Sequence, residues 1–170
     1  MITLRPMVGR DLPAVEAWLR QPHVARWWAK DVTVEVELAN IADTVTGPSQ
    51  TTILVVAEGG TDVGWCQWYR WSDYPDEARA MGAQPGEVGI DYAIGEPAAV
   101  GRGVGTALIR ALVAEVRRHH AGAGVLVAPH AANLPSRRVL EKNGFVLVEV
   151  RPVATELSDD PMAIYRLPPP

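Results

Sequence analysis

The residues that most clearly predict a chemical task are glycines at alternate positions in Val100-Gly-Arg-Gly-Val-Gly-Thr106. Glycine lets a backbone approach a ligand closely and directs several N–H groups into one concavity. The segment follows a predicted strand and opens a predicted helix, whose positive amino-terminal end attracts negative charge. We therefore expect an anionic phosphate to bind here, with a simple tight turn as the alternative.

Two familiar kinds of phosphate loop do not fit this segment. A nucleotide P-loop requires a Lys-Ser/Thr pair after its glycines, and no such pair follows Gly105. A dinucleotide-binding fold places the glycines in its first βαβ unit, and no such unit precedes them. The expected ligand therefore carries a phosphate but is not held in either of these ways.

The elements that must position this loop form a mixed α/β pattern. Their predicted order is βααβββαβαββ, with a sheet at the centre. Apolar residues at intervals of four predict a helix over Arg102–Ala121, directly after the loop. Glu87–Ile94 is predicted as the strand before the loop, with Asp91 facing away from its apolar side. The other predicted strands are the one around Ile2 and Leu4, then Thr51–Ala57, Val63–Trp71, Val125–Ala128, Phe145–Val150 and Met162–Leu167.

Local signals bound the helices. Asp11 is predicted as the N-cap of the first helix, which Pro22 ends. Thr33 is predicted to cap the second helix, and Asn133 the last one. Ser72–Gly86 shows no clear period and is predicted to be a long loop, a length that is usually functional or disordered.

Composition places the chain among globular proteins and limits its partners. The chain has 170 residues, a formal net charge of −4 and one cysteine, which suits one domain over residues 1–167 and a flexible proline tail over residues 168–170. We expect neither a membrane span nor a signal peptide, and the single cysteine favours a reducing cytoplasm. Mild acidity without a Lys/Arg run argues against nucleic acid and is compatible with a cationic small molecule. We expect no metal site, and monomer and homodimer both stay open.

A second motif follows the loop segment Val100-Gly-Arg-Gly103-Val-Gly105 later in the chain: Asn133, and then Leu140-Glu-Lys-Asn-Gly-Phe145. Together they resemble the GCN5-related N-acetyltransferases, whose acyl-coenzyme A loop reads Arg/Gln-x-x-Gly-x-Gly/Ala and whose later helix ends in (Y)EKxGF. The element order matches that superfamily over roughly the whole chain. The resemblance implies the acyl-CoA N-acyltransferase fold with acetyl-CoA as cosubstrate. The coenzyme-binding residues that it implies are Ala93, Ile94, Gly95, Val100, Gly101, Arg102, Gly103, Val104, Gly105, Thr106 and Asn133.

Three further motifs narrow the resemblance. His23-Val-Ala-Arg-Trp-Trp28 is similar to an HIxxWW segment, Gln67 with Tyr69 to a Q-x-Y pair, and Gly89-Ile-Asp91 to a GID strand. All three patterns are typical of aminoglycoside 6′-N-acetyltransferases. Siderophore-pathway N-acyltransferases share much of the amino-terminal pattern, so the motifs do not identify one substrate.

Acyl transfer from a thioester to an amine, which the resemblance implies, requires a neutral amine. An alkyl amine with a pKa near ~10.4 is neutral in about one molecule per few thousand at pH 7, a deficit of roughly 4–5 kcal/mol. Asp91, which matches the family's catalytic aspartate, is the candidate base, and the alternative is a carboxylate that only holds the substrate. A backbone N–H near Ile94 would polarise the thioester carbonyl, as the family implies.

The family's general acid, a tyrosine in the last helix, has no counterpart, because Leu140 takes its place. A thiol with a pKa near ~8.5 leaves tolerably as thiolate. We therefore expect catalysis without a dedicated acid, with water supplying the proton. Tyr92 and Tyr165 are the possible substitutes, and the spacing favours neither.

An aminoglycoside is polycationic and rich in hydroxyls, so its pocket should combine carboxylates with flat apolar surface. The predicted substrate-binding residues are Trp27, Trp28, Gln67, Tyr69, Trp71, Asp73, Tyr74, Asp76, Glu77, Asp91 and Asp160. The related enzymes carry an acidic cluster and an aromatic pair where this chain has Ala78-Arg-Ala-Met-Gly-Ala-Gln84, and an aspartate in place of Ala128. The aminoglycoside hypothesis thus depends on fewer acids than the family pattern contains.

Structural explanations are favoured for the other aromatic and reactive side chains. Trp18, Trp65 and Trp68 are predicted to fill the core, and Cys66 to be buried rather than nucleophilic. His130 is predicted to be a solvated loop residue, and His119-His120 to favour the dipole at the end of a helix.

Three functional hypotheses follow. The first is an N-acetyltransferase for the 6′-amine of aminoglycosides, a resistance activity, by direct attack in a ternary complex. The second is an acyltransferase for a hydroxylysine-type siderophore precursor or another small amine. The third is a non-catalytic acyl-CoA-binding module, which the missing tyrosine keeps open.

Overall fold

The chain folds into a mixture of helices and strands in the computed structural model, which describes residues 1–154 and 159–170. The strands are β1 (Ile2–Pro6), β2 (Thr52–Glu58), β3 (Thr61–Arg70), β4 (Val88–Ile94), β5 (Val125–Val127), β6 (Val146–Arg151) and β7 (Met162–Leu167). The helices are α1 (Leu12–Leu19), α2 (Pro22–Trp28), α3 (Val34–Thr46), α4 (Pro75–Met81), α5 (Val104–His119) and α6 (Leu134–Lys142). The predicted mixed α/β fold class is confirmed, with α2 and α4 added to the predicted order.

The described strands form one sheet in the order β1-β2-β3-β4-β5-β7-β6. β1 runs antiparallel to β2, and β7 runs antiparallel to both β5 and β6. β4 and β5 are parallel, with Val88 opposite Val125 and Gly89 opposite Leu126. A parallel pair requires a crossover, which α5 supplies, so the glycine segment lies at the start of that crossover.

The described residues pack as two compact units. Unit 1 consists of Met1–Gln67 and Tyr92–Leu108, and unit 2 of Trp68–Asp91 and Ile109–Pro170. β3, β4 and α5 each contribute residues to both units.

Tryptophans form the centre of the apolar core of unit 1. Trp65 is fully buried, stacks on Trp18 at 6.1 Å between ring centroids, and meets the tilted ring of Trp28 at 4.9 Å. Val15, Leu19, Val24, Ile41, Ile53 and Val55 pack in the same cluster. The prediction that Trp18 and Trp65 fill the core is confirmed.

Unit 2 has its own core, built from Trp71, Met81, Leu126, Val153, Met162 and Ile164. Trp68 is also buried, and its ring lies 5.4 Å from that of His119 and 5.2 Å from that of His120. Its predicted core position is confirmed. A buried carboxylate, Glu87, pairs with Arg166 at 2.6 Å, so its charge is compensated.

Asp11 occupies the predicted N-cap position of α1, but its side chain does not cap the helix. Asp11 ends a 3₁₀ turn, Gly9–Asp11, with helical backbone angles, and its carboxylate makes no cap bond to α1. That carboxylate instead accepts hydrogen bonds from Arg5 at 2.8 and 2.9 Å and from the Val8 N–H at 2.9 Å. The Arg5 guanidinium holds the pKa of Asp11 below its usual range. The ion pair with Arg5 on β1 thus engages the carboxylate that was expected to cap α1.

Two other boundaries differ from the sequence prediction. Pro22 does not end the first helix, which stops at Leu19, but occupies the first turn of α2, where its missing N–H costs nothing. The predicted loop Ser72–Gly86 contains α4, which begins at Pro75 and ends at Gly82 with φ of +71°. Glycine at that position ends a helix without the steric cost of a Cβ.

Several local predictions are confirmed. The Thr33 side chain accepts from the Val36 N–H at 3.2 Å, and the Asn133 side chain accepts from the Ser136 N–H at 3.3 Å. The hairpin between β2 and β3 turns through Gly59 and Gly60, both with positive φ. No helix in the described ranges, 1–154 and 159–170, is long and apolar enough to cross a membrane.

Candidate active site

The glycine loop adopts the backbone that its sequence predicts. Gly101 has φ of +78° and Gly103 has φ of +84°, a region that other residues adopt at a cost. A Cβ built at either position would have no heavy atom of another part of the chain within 4 Å. The protein therefore does not fill the space beside this backbone, which is the shape that a closely approaching ligand requires.

The loop opens directly into α5, a helix of 16 residues. The Gly103 carbonyl accepts from the Ala107 N–H at 3.1 Å, so the helical hydrogen bonds begin there rather than at the predicted Arg102. The N–H groups of the first helical turn have no acceptor within the helix. These donors and the helix dipole suit an anionic phosphate.

A single arginine supplies a charged side chain within the loop. Arg102 is 60% exposed and lies 3.4 Å from the Glu58 carboxylate at the end of β2. Because the ion pair is long and exposed, it holds Arg102 weakly. Backbone donors rather than side-chain cations dominate the loop.

The carboxyl end of β4 is held tightly within unit 1. The Gly95 and Glu96 N–H groups both donate to the Val63 carbonyl, at 2.8 and 3.0 Å. Gly95 is buried, and a Cβ there would overlap the ring of Trp18. The strand end therefore requires glycine for close packing rather than for an unusual φ.

Asp91 is half-buried on β4 in unit 2. It shares a strand face with Gly89, two residues earlier. A Cβ at Gly89 would overlap the ring of Tyr69. The predicted Tyr69 thus lies against the strand immediately before Asp91, and the absence of a side chain at Gly89 makes that approach possible.

Three predicted aromatic residues form a cluster in unit 2. The Tyr69 ring meets Trp71 at 5.2 Å and Tyr74 at 5.4 Å, both edge-on. Trp71 is 6% exposed and its indole N–H donates to the Leu126 carbonyl at 3.3 Å. Trp71 therefore belongs to the core of unit 2, while Tyr69 and Tyr74 are half-buried.

The predicted acids of the substrate site differ in how freely their charge is available. Asp73 accepts hydrogen bonds from two guanidinium nitrogens of Arg70, Nε and Nη2, each at 2.9 Å, and 12% of its side chain is exposed. Asp76 pairs with Arg79 at 3.1 Å, and both side chains are 79% exposed. The remaining predicted acids outside β4, Glu77 and Asp160, are exposed. The acidic surface is thus weaker than the residue types suggest.

The predicted residues of unit 1 lie on two elements. Trp27 and Trp28 are half-buried on α2, with the Arg26 guanidinium 5.9 Å from the Trp27 ring centroid. Gln67 is half-buried on β3. Trp28 packs on the core through Trp65, so its ring is fixed in place.

The position at which the family has its general-acid tyrosine is buried in this protein. Leu140 is fully buried. Tyr165 is also buried, and its hydroxyl donates to Glu141 at 2.6 Å and accepts from Arg137 at 3.0 Å. Burial raises the pKa of Tyr165, the Glu141 carboxylate adds to the rise and Arg137 opposes it. Its proton is committed to Glu141, which does not favour Tyr165 as the acid; Tyr92 is half-buried on β4.

The lone cysteine is confirmed as a buried residue. Cys66 is fully buried on β3, and burial raises the pKa of its thiol. No cluster of His, Cys, Asp and Glu that could hold a metal ion is found among residues 1–154 and 159–170. His130 is half-buried and forms an isolated bridge with Met162, so its prediction as a solvated loop residue is only partly met.

Because the thiol stays protonated and covered, Cys66 is expected to react with a disulfide reagent about 10²-fold more slowly in the native protein than in denaturant. The measurement is the rise in absorbance as an aromatic disulfide reagent releases its coloured thiolate, followed with and without urea. Rapid release of one equivalent per chain from the folded protein would contradict this burial.

One contact of the site was not predicted. His23 Nε2 lies 2.9 Å from the Ile94 carbonyl oxygen, and both residues belong to unit 1. The sequence placed His23 in a motif but gave it no task, because helix α2 was missed. The available signal was Pro22, which is favoured in the first turn of a helix.

Comparisons with known proteins agree with this geometry. Residues 8–152 match a family model described as an acetyltransferase (GNAT) domain. The chain is 28% identical over 148 residues to aminoglycoside N(6′)-acetyltransferase type 1 of Klebsiella pneumoniae, covering 85% of this chain and 73% of that protein.

Solved structures give the same result. Aminoglycoside acetyltransferase AAC(6′)-Ib in complex with coenzyme A and kanamycin superimposes with a TM-score of 0.78 at 25% identity, covering 99% of this chain and 95% of that chain. An uncharacterised protein of Bacillus halodurans gives a TM-score of 0.83 at 18% identity, covering 98% and 83%, which shows the fold alone.

Proposed function

The chain belongs to the GNAT acetyltransferase family, and from that premise we propose that its acceptor is a primary amine of a cationic small molecule, with the 6′-amine of an aminoglycoside as the first candidate. The protein is an acetyl-CoA-dependent N-acetyltransferase. The observation that carries the acceptor proposal is Asp91, a half-buried carboxylate on β4 that shares a strand face with Gly89, against which the Tyr69 ring packs.

The glycine loop fits acetyl-CoA as cosubstrate. We propose that N–H groups of Gly101 to Thr106 bind its pyrophosphate, because Gly101 and Gly103 have positive φ and no protein atom fills the space beside either glycine. The first turn of α5 adds the helix dipole. We further propose that the N–H of Ile94 polarises the thioester carbonyl, since Ile94 ends the strand that leads to the loop.

Asp91 performs the proton transfer in this proposal. The acceptor amine arrives as an ammonium ion, and Asp91 accepts its proton directly or through a water molecule. The neutral amine then attacks the thioester carbon and a C–N bond forms. The nitrogen gives its second proton to solvent, the C–S bond breaks, and the coenzyme leaves as thiolate, which takes a proton from water. Because thiolate is a tolerable leaving group, the buried Leu140 in place of a tyrosine does not prevent the reaction.

The related enzymes support an aminoglycoside as acceptor, and one observation favours a second candidate. Arg70 and Arg79 each pair with a predicted substrate acid, Asp73 and Asp76. An acceptor with one or two ammonium groups requires fewer carboxylates than a polycation. A hydroxylysine-type siderophore precursor or another small amine is therefore the second candidate.

A panel of amines tests the proposal. Purified protein is mixed with acetyl-CoA and, in separate reactions, with kanamycin, tobramycin, hydroxylysine and lysine, and the released thiol is measured. Release with the aminoglycosides, and a product acetylated at the 6′-nitrogen, supports the first candidate. Release with the small amines alone supports the second. Binding of acetyl-CoA without thiol release in the presence of any of these amines would overturn both candidates.

The cellular setting completes the proposal. We propose a cytoplasmic location and a single catalytic domain over residues 1–167, since the chemistry needs acetyl-CoA and a reduced Cys66 needs no oxidising compartment. Either a monomer or a homodimer is compatible with this chemistry.

A further inference from the structure

The peptide group between Ile94 and Gly95 has both of its polar atoms held. Its N–H, on Gly95, donates to the Val63 carbonyl of β3 at 2.8 Å. Its carbonyl, on Ile94, accepts from His23 Nε2 at 2.9 Å. Because a carbonyl oxygen only accepts, this geometry requires the proton on Nε2. A side chain 71 residues away in sequence therefore fixes the orientation of one peptide plane.

The direction of the neighbouring N–H follows from strand geometry. In a trans peptide the N–H and C=O point in opposite directions, so the Ile94 carbonyl points away from β3. In an extended strand the N–H and C=O of one residue point to the same side. The Ile94 N–H therefore points to the same edge of β4 as the carbonyl that His23 holds.

Contacts in unit 1 leave this strand end little room to rotate. Trp18 packs where a Cβ of Gly95 would lie, and the Glu96 N–H also donates to Val63 at 3.0 Å. The described ladder between β4 and β5 includes only Val88 and Gly89. At Ile94 the contact on the side of the strand away from β3 is thus supplied by His23.

We propose that His23 is a positioning residue for acetyl transfer: its imidazole N–H holds the Ile94 carbonyl so that the Ile94 N–H stays directed at the thioester carbonyl. The inference rests on the proposed role of Ile94 in polarising that carbonyl. His23 contributes a hydrogen-bond donor in this arrangement, and the proposal gives it no part in proton transfer. The energetic benefit is a donor that is already oriented before charge develops on the carbonyl oxygen.

Two substitutions separate positioning from packing. His23→Leu keeps apolar volume but removes the donor, and His23→Gln places an amide N–H near the position of Nε2. We expect His23→Leu to lower kcat about 10-fold, less than the ~10²- to 10³-fold cost of removing an oxyanion donor itself. We expect His23→Gln to recover most of kcat with an unchanged pH profile. If His23→Leu does not fold, His23→Asn replaces it, because its amide is one methylene too short to reach Ile94.

Binding measurements distinguish this inference from the proposed function. Acetyl-CoA differs from CoA by the acetyl group, whose carbonyl the Ile94 N–H would contact. We therefore expect His23→Leu to weaken the binding of acetyl-CoA about 3- to 10-fold and to leave the affinity for CoA unchanged. Calorimetry measures both without an acceptor, so it remains decisive even if every amine fails. Equal loss for the two ligands, equal impairment of the Leu and Gln variants, or wild-type kcat in His23→Leu would overturn the inference.

Discussion

Asp91→Asn is expected to lower kcat/KM for amine acetylation at pH 7 by about 10²- to 10⁴-fold, the usual contribution of a positioned base. Asparagine keeps the shape of the side chain on β4 but cannot accept the ammonium proton. The loss should shrink as the pH rises towards the amine pKa near ~10.4, because solvent then supplies the neutral amine. The measurement is the rate of thiol release between pH 6 and pH 10.

Controls separate proton transfer from substrate holding. Asp43→Asn removes an exposed carboxylate on α3 and should leave the rate unchanged. The affinity of Asp91→Asn for acetyl-CoA, measured by calorimetry, should equal that of the wild type. A loss that persists undiminished at pH 10, or that appears only as a higher KM for the amine, would show that Asp91 holds the acceptor and is not the base.

Gly103→Ala is expected to weaken acetyl-CoA binding by about 10- to 100-fold, the range for losing one or two hydrogen bonds to a charged group. The backbone at Gly103 has φ of +84° and its flank is open, so the new methyl group meets the ligand rather than the protein. Calorimetric titration with CoA and with acetyl-CoA measures the change. Both ligands should be affected equally, since the expected contact is with the pyrophosphate.

The chain offers a matched control for backbone strain. Gly122 has φ of +79°, also with nothing within 4 Å of a built Cβ, and lies between α5 and β5. Gly122→Ala should carry the same conformational cost of roughly 1 kcal/mol without altering coenzyme affinity. Equal affinities of the Gly103 and Gly122 variants for CoA would mean that the glycine loop is only a tight turn.

Local signals in the sequence predicted the elements that depend on local physics. Thr33 and Asn133 cap helices as their side chains allow, and Gly101 and Gly103 adopt the left-handed region. The predicted strand Glu87–Ile94 differs from β4, Val88–Ile94, by one residue, because alternating apolar residues mark the extent of this strand. These features need only the nearest few residues, which a sequence displays directly.

Features that depend on distant residues were missed. The carboxylate of Asp11 was expected at a helix cap but bonds Arg5, across a turn and a strand end. The contact of His23 with Ile94 joins two segments that no pattern connects. Helix α4 was hidden because its few residues show no full apolar period, although Pro75 and Gly82 mark its ends.

The candidate site divides in the same way. The residue types at Asp91 and in the glycine loop were recognisable because the chemistry requires them. The packing of Tyr69 against Gly89 was not, because it depends on a tertiary contact. The pairing of Asp73 with Arg70, three residues earlier, was also missed. Trp71, which was predicted to bind the substrate, is buried in the core of unit 2.

The two compact units share the chain in an interleaved order, and this restricts how the protein can be made. Unit 1 lacks its second segment until Leu108 has left the ribosome, so the first 67 residues emerge without the strand end that completes their packing. No single truncation yields either unit whole. To express unit 1 alone, a designed linker would have to join Gln67 to Tyr92 and replace the residues of unit 2 between them.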